Sequence, residues 1–250
     1  MKVKDLKQKH PSILIYSDPG GGKTSLIETL GGGLQIIDCD DGAISGLSLA
    51  DEHQPARHEV DILQYFDEDP KLPTAFEKTK QYVIKVKNLC RQDKFPFKAL
   101  AIDSLSALAT SAIRTILKNS GGPAKVEIQH WGLAINEINN LMTLFRSLPL
   151  VTILTAHTQV VTVSGIDRVQ VACFGKNLPN QICGSFDEVW FLEAKRLTGK
   201  TVYQIRTQPT GVQVCRTRGQ LDNNLPTSLG LPKILEKIGY QFNCVSTQPV

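Results

Sequence analysis

No apolar run in the 250-residue chain is long enough to cross a bilayer. The opening residues, MKVKDLKQKH, lack the apolar stretch of a secretory signal. Both absences point to a cytoplasmic protein with no membrane partner. The six cysteines (Cys39, Cys90, Cys173, Cys183, Cys215 and Cys244) form no C-x-x-C and have no histidine at zinc spacing. They read as reduced, buried small hydrophobes. No repeat and no low-complexity linker interrupts the chain, so one α/β domain over residues 1–250 is expected. The formal net charge of +4 is too small to name a partner. Its distribution is more telling, because Asp and Glu are missing between Ala194 and Leu221, where Lys195, Arg196, Lys200, Arg206, Arg216 and Arg218 fall. Such a stretch is either a solvated face or a surface turned towards phosphates.

What is present is a glycine-rich loop, SDPGGGKT, running from Ser17 to Thr24. Ile13, Leu14, Ile15 and Tyr16 precede it as a short apolar run, and a helix can begin at Ser25. Strand, glycine-rich loop and helix start are the context that makes a phosphate-binding P-loop. Backbone N–H groups of Gly20, Gly21 and Gly22 can converge on a triphosphate because no Cβ blocks the approach. Lys23 would reach the β- and γ-phosphates, and the Thr24 hydroxyl would bind Mg²⁺. Asp18, Pro19 and Ser25 complete the expected ATP-binding stretch. Ser17 stands where the usual G-x-x-x-x-G-K-[ST] pattern has its first glycine.

Strands alternate with helical stretches, which predicts a mainly parallel sheet covered on both faces. Strands are expected at 13–16, 34–38, 98–103, 150–157 and 188–193, and helices at 24–30, 74–90, 106–118 and 131–147. The domain divides into an N-terminal tail (1–11), a nucleotide-binding core (12–193) and a C-terminal part (194–250). In the last, TVYQIRT and GVQVCRTR around Pro209 and Gly211 predict an antiparallel hairpin, followed by a small helix at 231–238. The stretches 119–130 and 158–182 fit no element, and long irregular loops are usually functional or disordered.

A P-loop needs an acidic partner for Mg²⁺ at the end of a neighbouring strand. KALAIDS supplies Asp103 as this Walker B acid, so Thr24 and Asp103 are the expected metal-binding pair. IIDCDDG places Asp38, Asp40 and Asp41 at the end of the second strand. Asp40 either primes the attacking water or simply closes the strand end, and Asp41 reads as a cap for the following segment.

The P-loop, the acidic second-strand end, the strand running into Asp103, Ser104 and Leu105, and a later strand ending in a polar residue together resemble the RecA-type ATPase core. The closest resemblance is to the short, core-only RecA-like ATPases of tailed phages associated with single-strand DNA annealing and recombination, over residues 12–238. It implies an α/β RecA-like core with a C-terminal antiparallel hairpin extension, ATP and Mg²⁺ as cofactors, and host-cell cytoplasm as the location if the protein is phage-encoded. The implied partners are single-stranded DNA, further copies of the chain in a filament or ring, and a single-strand DNA-binding protein. His157 would occupy the sensor position, where RecA-like proteins commonly have an amide, and RecA has Glu in the place of Asp40. Arg216 and Arg218 resemble the basic pair that reaches across to a neighbour's nucleotide, and a finger supplied in trans is worth about 10³–10⁵ in rate.

In that family the loops facing the filament or ring axis follow the Walker B helix and the sensor strand, here 119–130 and 158–182. Lys118, Lys125 and His130 from the first, and Arg168, Phe174 and Lys176 from the second, are the DNA-binding candidates. With Phe174 the lone aromatic, binding should rest on backbone phosphates and weaken with salt, at about −0.7 in log–log slope per phosphate. The other reading of 158–182 is a hairpin with a structural or protein-contact role. The expected function is an oligomeric, DNA-stimulated ATPase for annealing or strand exchange. A ring-shaped helicase or packaging motor and a non-catalytic, nucleotide-gated assembly protein are the alternatives.

Overall fold

A sheet covered on both faces needs two apolar sets on every strand, and alternate side chains provide them. The computed structural model describes residues 10–43, 59–121, 125–163, 165–197 and 199–242. Its strands are β1 (Ser12–Tyr16), β2 (Leu34–Asp38), β3 (Asp61–Gln64), β4 (Ala99–Asp103) and β5 (Val151–Ala156), then β6 (Thr158–Val163), β7 (Ile166–Val171), β8 (Glu188–Leu197), β9 (Lys200–Arg206) and β10 (Asn224–Pro226). The helices are α1 (Lys23–Ile27), α2 (Ala75–Arg91), α3 (Leu105–Asn119), α4 (Ile128–Arg146), α5 (Leu178–Ser185) and α6 (Leu231–Lys237). Cys244 and most of the 1–11 tail lie outside the described residues.

Eight strands form one sheet in the order β10-β9-β8-β1-β5-β4-β2-β3. The six from β8 to β3 are parallel, and β9 runs antiparallel to both β8 and β10. Leu14, Tyr16, Ile37, Leu100, Ile102 and Leu154 pack on one face with Val83 of α2, Leu108 of α3 and Phe145 of α4. Their alternates Ile13, Ile15, Ile36, Ala101 and Ile153 pack on the other with Leu26, Ile234 and the fully buried Trp190. Each large apolar side chain buried this way contributes about 1.5–3 kcal/mol. The expected α/β fold, mainly parallel sheet and antiparallel extension are therefore present.

Local chemistry moves several boundaries. The fourth helix begins at Ile128 rather than 131, because Glu127 and His130 form a reciprocal capping box in which the Glu127 N–H donates to His130 Nδ1 at 3.0 Å. α2 is started by Asp67, whose carboxylate accepts from the N–H groups of Thr74 and Ala75 at 2.7 and 2.8 Å. β3 was not anticipated, since DILQ is short and only half-buried. The antiparallel hairpin exists with a different second arm: β9 pairs with β8. GVQVCRTR instead runs past the start of β8, exchanging backbone hydrogen bonds between Val189 and Arg216. Apart from residue 164, which lies outside the described residues, 158–182 forms the β6–β7 hairpin followed by the start of α5, the alternative that alternation in VVTV and RVQV allows. Near the chain ends, His10 Nδ1 lies 2.9 Å from the Tyr240 hydroxyl, and the two rings meet edge to face.

Candidate functional site

In an open α/β sheet, ligands bind beyond the carboxyl ends of the strands. Four adjacent strands deliver the expected residues there: β1 leads into the glycine loop, β5 into His157, β4 into Asp103 and β2 into Asp40. They border a cleft of about 810 Å³ lined by Gly20 to Ser25, Asp40, Asp103 and His157, with Tyr203, Thr227 and Ser228 at its edge.

The loop geometry accounts for its sequence. Gly22, the cap of α1, has φ 87°, a left-handed conformation that favours glycine. A Cβ on Gly21 would come within 2.2 Å of Ser17 Oγ. Ser17 thus fits in the first-glycine position because Gly21 makes room for it. Its hydroxyl also has a task, accepting a hydrogen bond from Lys23 Nζ at 3.1 Å while donating to Asp18 O at 2.9 Å. Lys23 Nζ donates as well to the carbonyls of Ser17 and Asp18, at 3.2 and 3.3 Å. Burial holds this ammonium below its ordinary pKa, against the pull of Asp103, Asp40 and Asp18.

Thr24 Oγ1 donates to Asp103 Oδ2 at 2.8 Å, and Thr155 donates to the other Asp103 oxygen. Burial raises the Asp103 pKa, because a carboxylate cut off from water favours its neutral form. An adjacent hydroxyl and buried carboxylate are hard oxygen donors, the set that Mg²⁺ takes from a protein when phosphates and water complete its shell. The residues present fit that ion. Ser104 follows through a cis peptide bond; its hydroxyl donates to Asp40 Oδ2 at 2.9 Å. His157 Nε2 stands 3.6 Å from the same oxygen. Hydrogen bonding from His157, against burial, and then from Ser104 holds the Asp40 carboxyl below its usual range.

Asp38 closes the turn after the second strand, accepting from the N–H groups of Asp40, Gly42 and Ala43 at 3.2, 3.3 and 3.1 Å. Asp41 accepts from Gln64 Nε2 at 3.1 Å across to β3. The segment from residue 44 that it was expected to cap lies outside the described residues.

Arg216 and Arg218 are far from this cleft. Arg218 Nη1 donates to Asp187 Oδ1 at 2.8 Å, while the other oxygen of Asp187 accepts from the hydroxyl and N–H of Ser12 at the opposite end of β1. Arg216 Nη1 donates to Gly184 O at 2.8 Å. The length of β1 alone, five residues, separates this cluster from the glycine loop by roughly 15 Å.

Of the DNA candidates, Lys118, Lys125, Arg168 and Lys176 are exposed. His130 is not available: it is 4% exposed and its ring nitrogen is used in the capping box. Phe174 packs against Trp131, which lies in the first turn of α4. Sequence reasoning missed Thr155, Ser104, Ser106 and Tyr203. Ser104 and Ser106 follow the strand-end Asp103 within three residues and were within reach of it. Thr155 and Tyr203 carry no local signal, since strand order brings them to the site.

The sheet, the glycine loop and the Thr24–Asp103 pair define an α/β nucleotide-binding fold of the P-loop type. Residues 9–218 match the AAA domain family, and the chain belongs to it. No curated protein matches the chain. Among solved structures, the ATPase of the type III secretion system of pathogenic bacteria aligns at 15% identity over 74% of this chain with a TM-score of 0.53. This chain spans 52% of that protein's length. A KaiC-like protein from the hyperthermophilic archaeon Pyrococcus horikoshii OT3 aligns at 12% identity over 81% of this chain and 80% of its own, with a TM-score of 0.45. No helix among the described residues is long and apolar enough to cross a membrane.

Proposed function

We propose that the protein binds ATP with Mg²⁺ and hydrolyses it, as an oligomer, to act on single-stranded DNA in annealing or strand exchange. This includes the phage-type recombination role that the sequence resemblance implies. Glycine-loop N–H groups and Lys23 bind the phosphates, and Lys23 exchanges the oxygens of Ser17 and Asp18 for phosphate oxygens. Thr24 and Asp103 would hold the cation, with Thr155 fixing the Asp103 carboxylate, and the bound cation would neutralise phosphate charge. Asp40 accepts a hydrogen bond from the attacking water. A carboxyl held below its usual pKa is a weak base, so Asp40 orients water more than it deprotonates it. Arg216 and Arg218, remote from the cleft of their own subunit, reach the nucleotide of the next.

One observation carries the coupling to DNA. Ser106 Oγ accepts from the His157 N–H at 3.1 Å and donates to Ala172 O at 3.0 Å, while the Ala172 N–H donates to His157 O at 2.7 Å. The residue facing Asp40 is thereby tied to the base of the β6–β7 hairpin. The test is ATP turnover with and without single-stranded DNA, at low and moderate salt. Stimulation that fades with salt is expected; turnover indifferent to DNA rejects the reading.

A further inference from the structure

Two tryptophans occur in the chain, in opposite settings. Trp190 is fully buried beneath the sheet, whereas Trp131 is 37% exposed. The Trp131 ring meets Phe174 at a tilt, centroids 5.2 Å apart, and this contact joins the residue just after 119–130 to one inside 158–182. Ile128, one turn before Trp131 on the same helix, is 92% exposed, and Val126, just ahead of that helix, is 38% exposed. A surface that leaves Trp131 and these aliphatic side chains in water, with Phe174 half-buried against the core beside the indole, calls for an occupant.

Charge says which kind. Lys125 and Lys176 are exposed on the two segments that meet at the pair. Glu127, four residues before Trp131, is already bound to the helix start and to Gln129 Nε2 at 2.7 Å. An exposed indole with ammonium groups on the neighbouring segments is the combination that takes unpaired bases and their phosphates. Phe174 also lies two residues beyond Ala172, which is hydrogen-bonded to His157. We infer that Trp131 and Phe174 form a base-stacking platform for single-stranded DNA, flanked by Lys125 and Lys176. This rests on the single-strand reading above and changes its chemistry: an aromatic contribution joins the purely electrostatic one expected from Phe174 alone.

The experiment needs no mutation to begin, because Trp131 is its own reporter. Tryptophan emission of the full-length protein is followed while an oligothymidylate is added, and anisotropy of a fluorescein-labelled oligothymidylate reports binding independently. Saturable quenching over the same concentrations as the anisotropy rise is expected, with little response to duplex DNA. Trp131→Ala should weaken binding roughly tenfold or more, and Trp131→Phe should restore most of it. Trp131→Ala should leave the log–log salt slope unchanged, whereas Lys176→Ala should reduce it by about 0.7. Phe174→Ala provides a second test from the other side of the pair if Trp131→Ala fails to fold. Binding without quenching and with unchanged affinity in both alanine variants overturns the platform and leaves the single-strand reading in place. Quenching by duplex equal to that by single strand also overturns it. Absence of any anisotropy change overturns both.

Discussion

Asp40 faces His157 and accepts from Ser104, and those two neighbours keep it ionised well below neutrality. Its ordinary value is 3.8 and the shift is downward, so acidification from pH 7 to 5 leaves its charge intact. A fall in turnover across that range therefore belongs to another group. Asp40→Asn keeps the shape and removes the charge that, on the proposed mechanism, orients water. We expect kcat to drop by about 10²–10⁴ with little change in KM for ATP, measured in steady-state assays. A rise in KM with kcat unchanged would move Asp40 from the chemistry to binding. Ser17 illustrates a different residue-scale point. A departure from a motif is harmless when the position it crowds is glycine, and Gly21 is that position.

At the scale of elements, the crossing segment that ends in the two arginines depends on one glycine. A Cβ on Gly219 would lie 2.2 Å from Ile238 Cγ2, just past α6, so Gly219→Ala must push that helix end outwards. A loss of about 1–3 kcal/mol in urea unfolding is expected. Gly184, inside α5 with open space around it, is the control: Gly184→Ala should be neutral or stabilising by about 0.5–1 kcal/mol. The same elements show what the chain's letters convey. β1, β2, β4 and β5 are continuous apolar runs between loop signals, and such runs have few other readings. The glycine loop and Asp103 were legible for the same reason, since each is a strand end followed by a helix. The start of α4 was not, because Glu127 and His130 act as a cap only when paired across a turn. Nor was the partner of β9, since any alternating segment can fill an edge and only tertiary packing chooses among them. Trp131 looked like one position on a helix face until folding set Phe174 against it.

For the whole molecule, the separation between the cleft and the arginine cluster makes a prediction about mixtures. In the proposed assembly, Lys23→Ala would disable a subunit's own phosphate site, and Arg218→Ala what that subunit would offer to its neighbour. Each variant alone should hydrolyse ATP poorly, with Arg218→Ala still binding it. Combining them should recover part of the activity, since some interfaces then pair an intact site with an intact arginine. No recovery, or full turnover by Arg218→Ala alone, rejects the role in trans. The hydrogen bond between His10 and Tyr240 has a consequence of another kind. It sets the two ends of the described chain beside each other, so the order in which the elements are strung is separable from the way they pack. A short peptide could splice those ends together, and the chain could be cut anew at an exposed turn such as Gly199. The circularly permuted protein would begin in its antiparallel extension and keep the glycine loop in its interior.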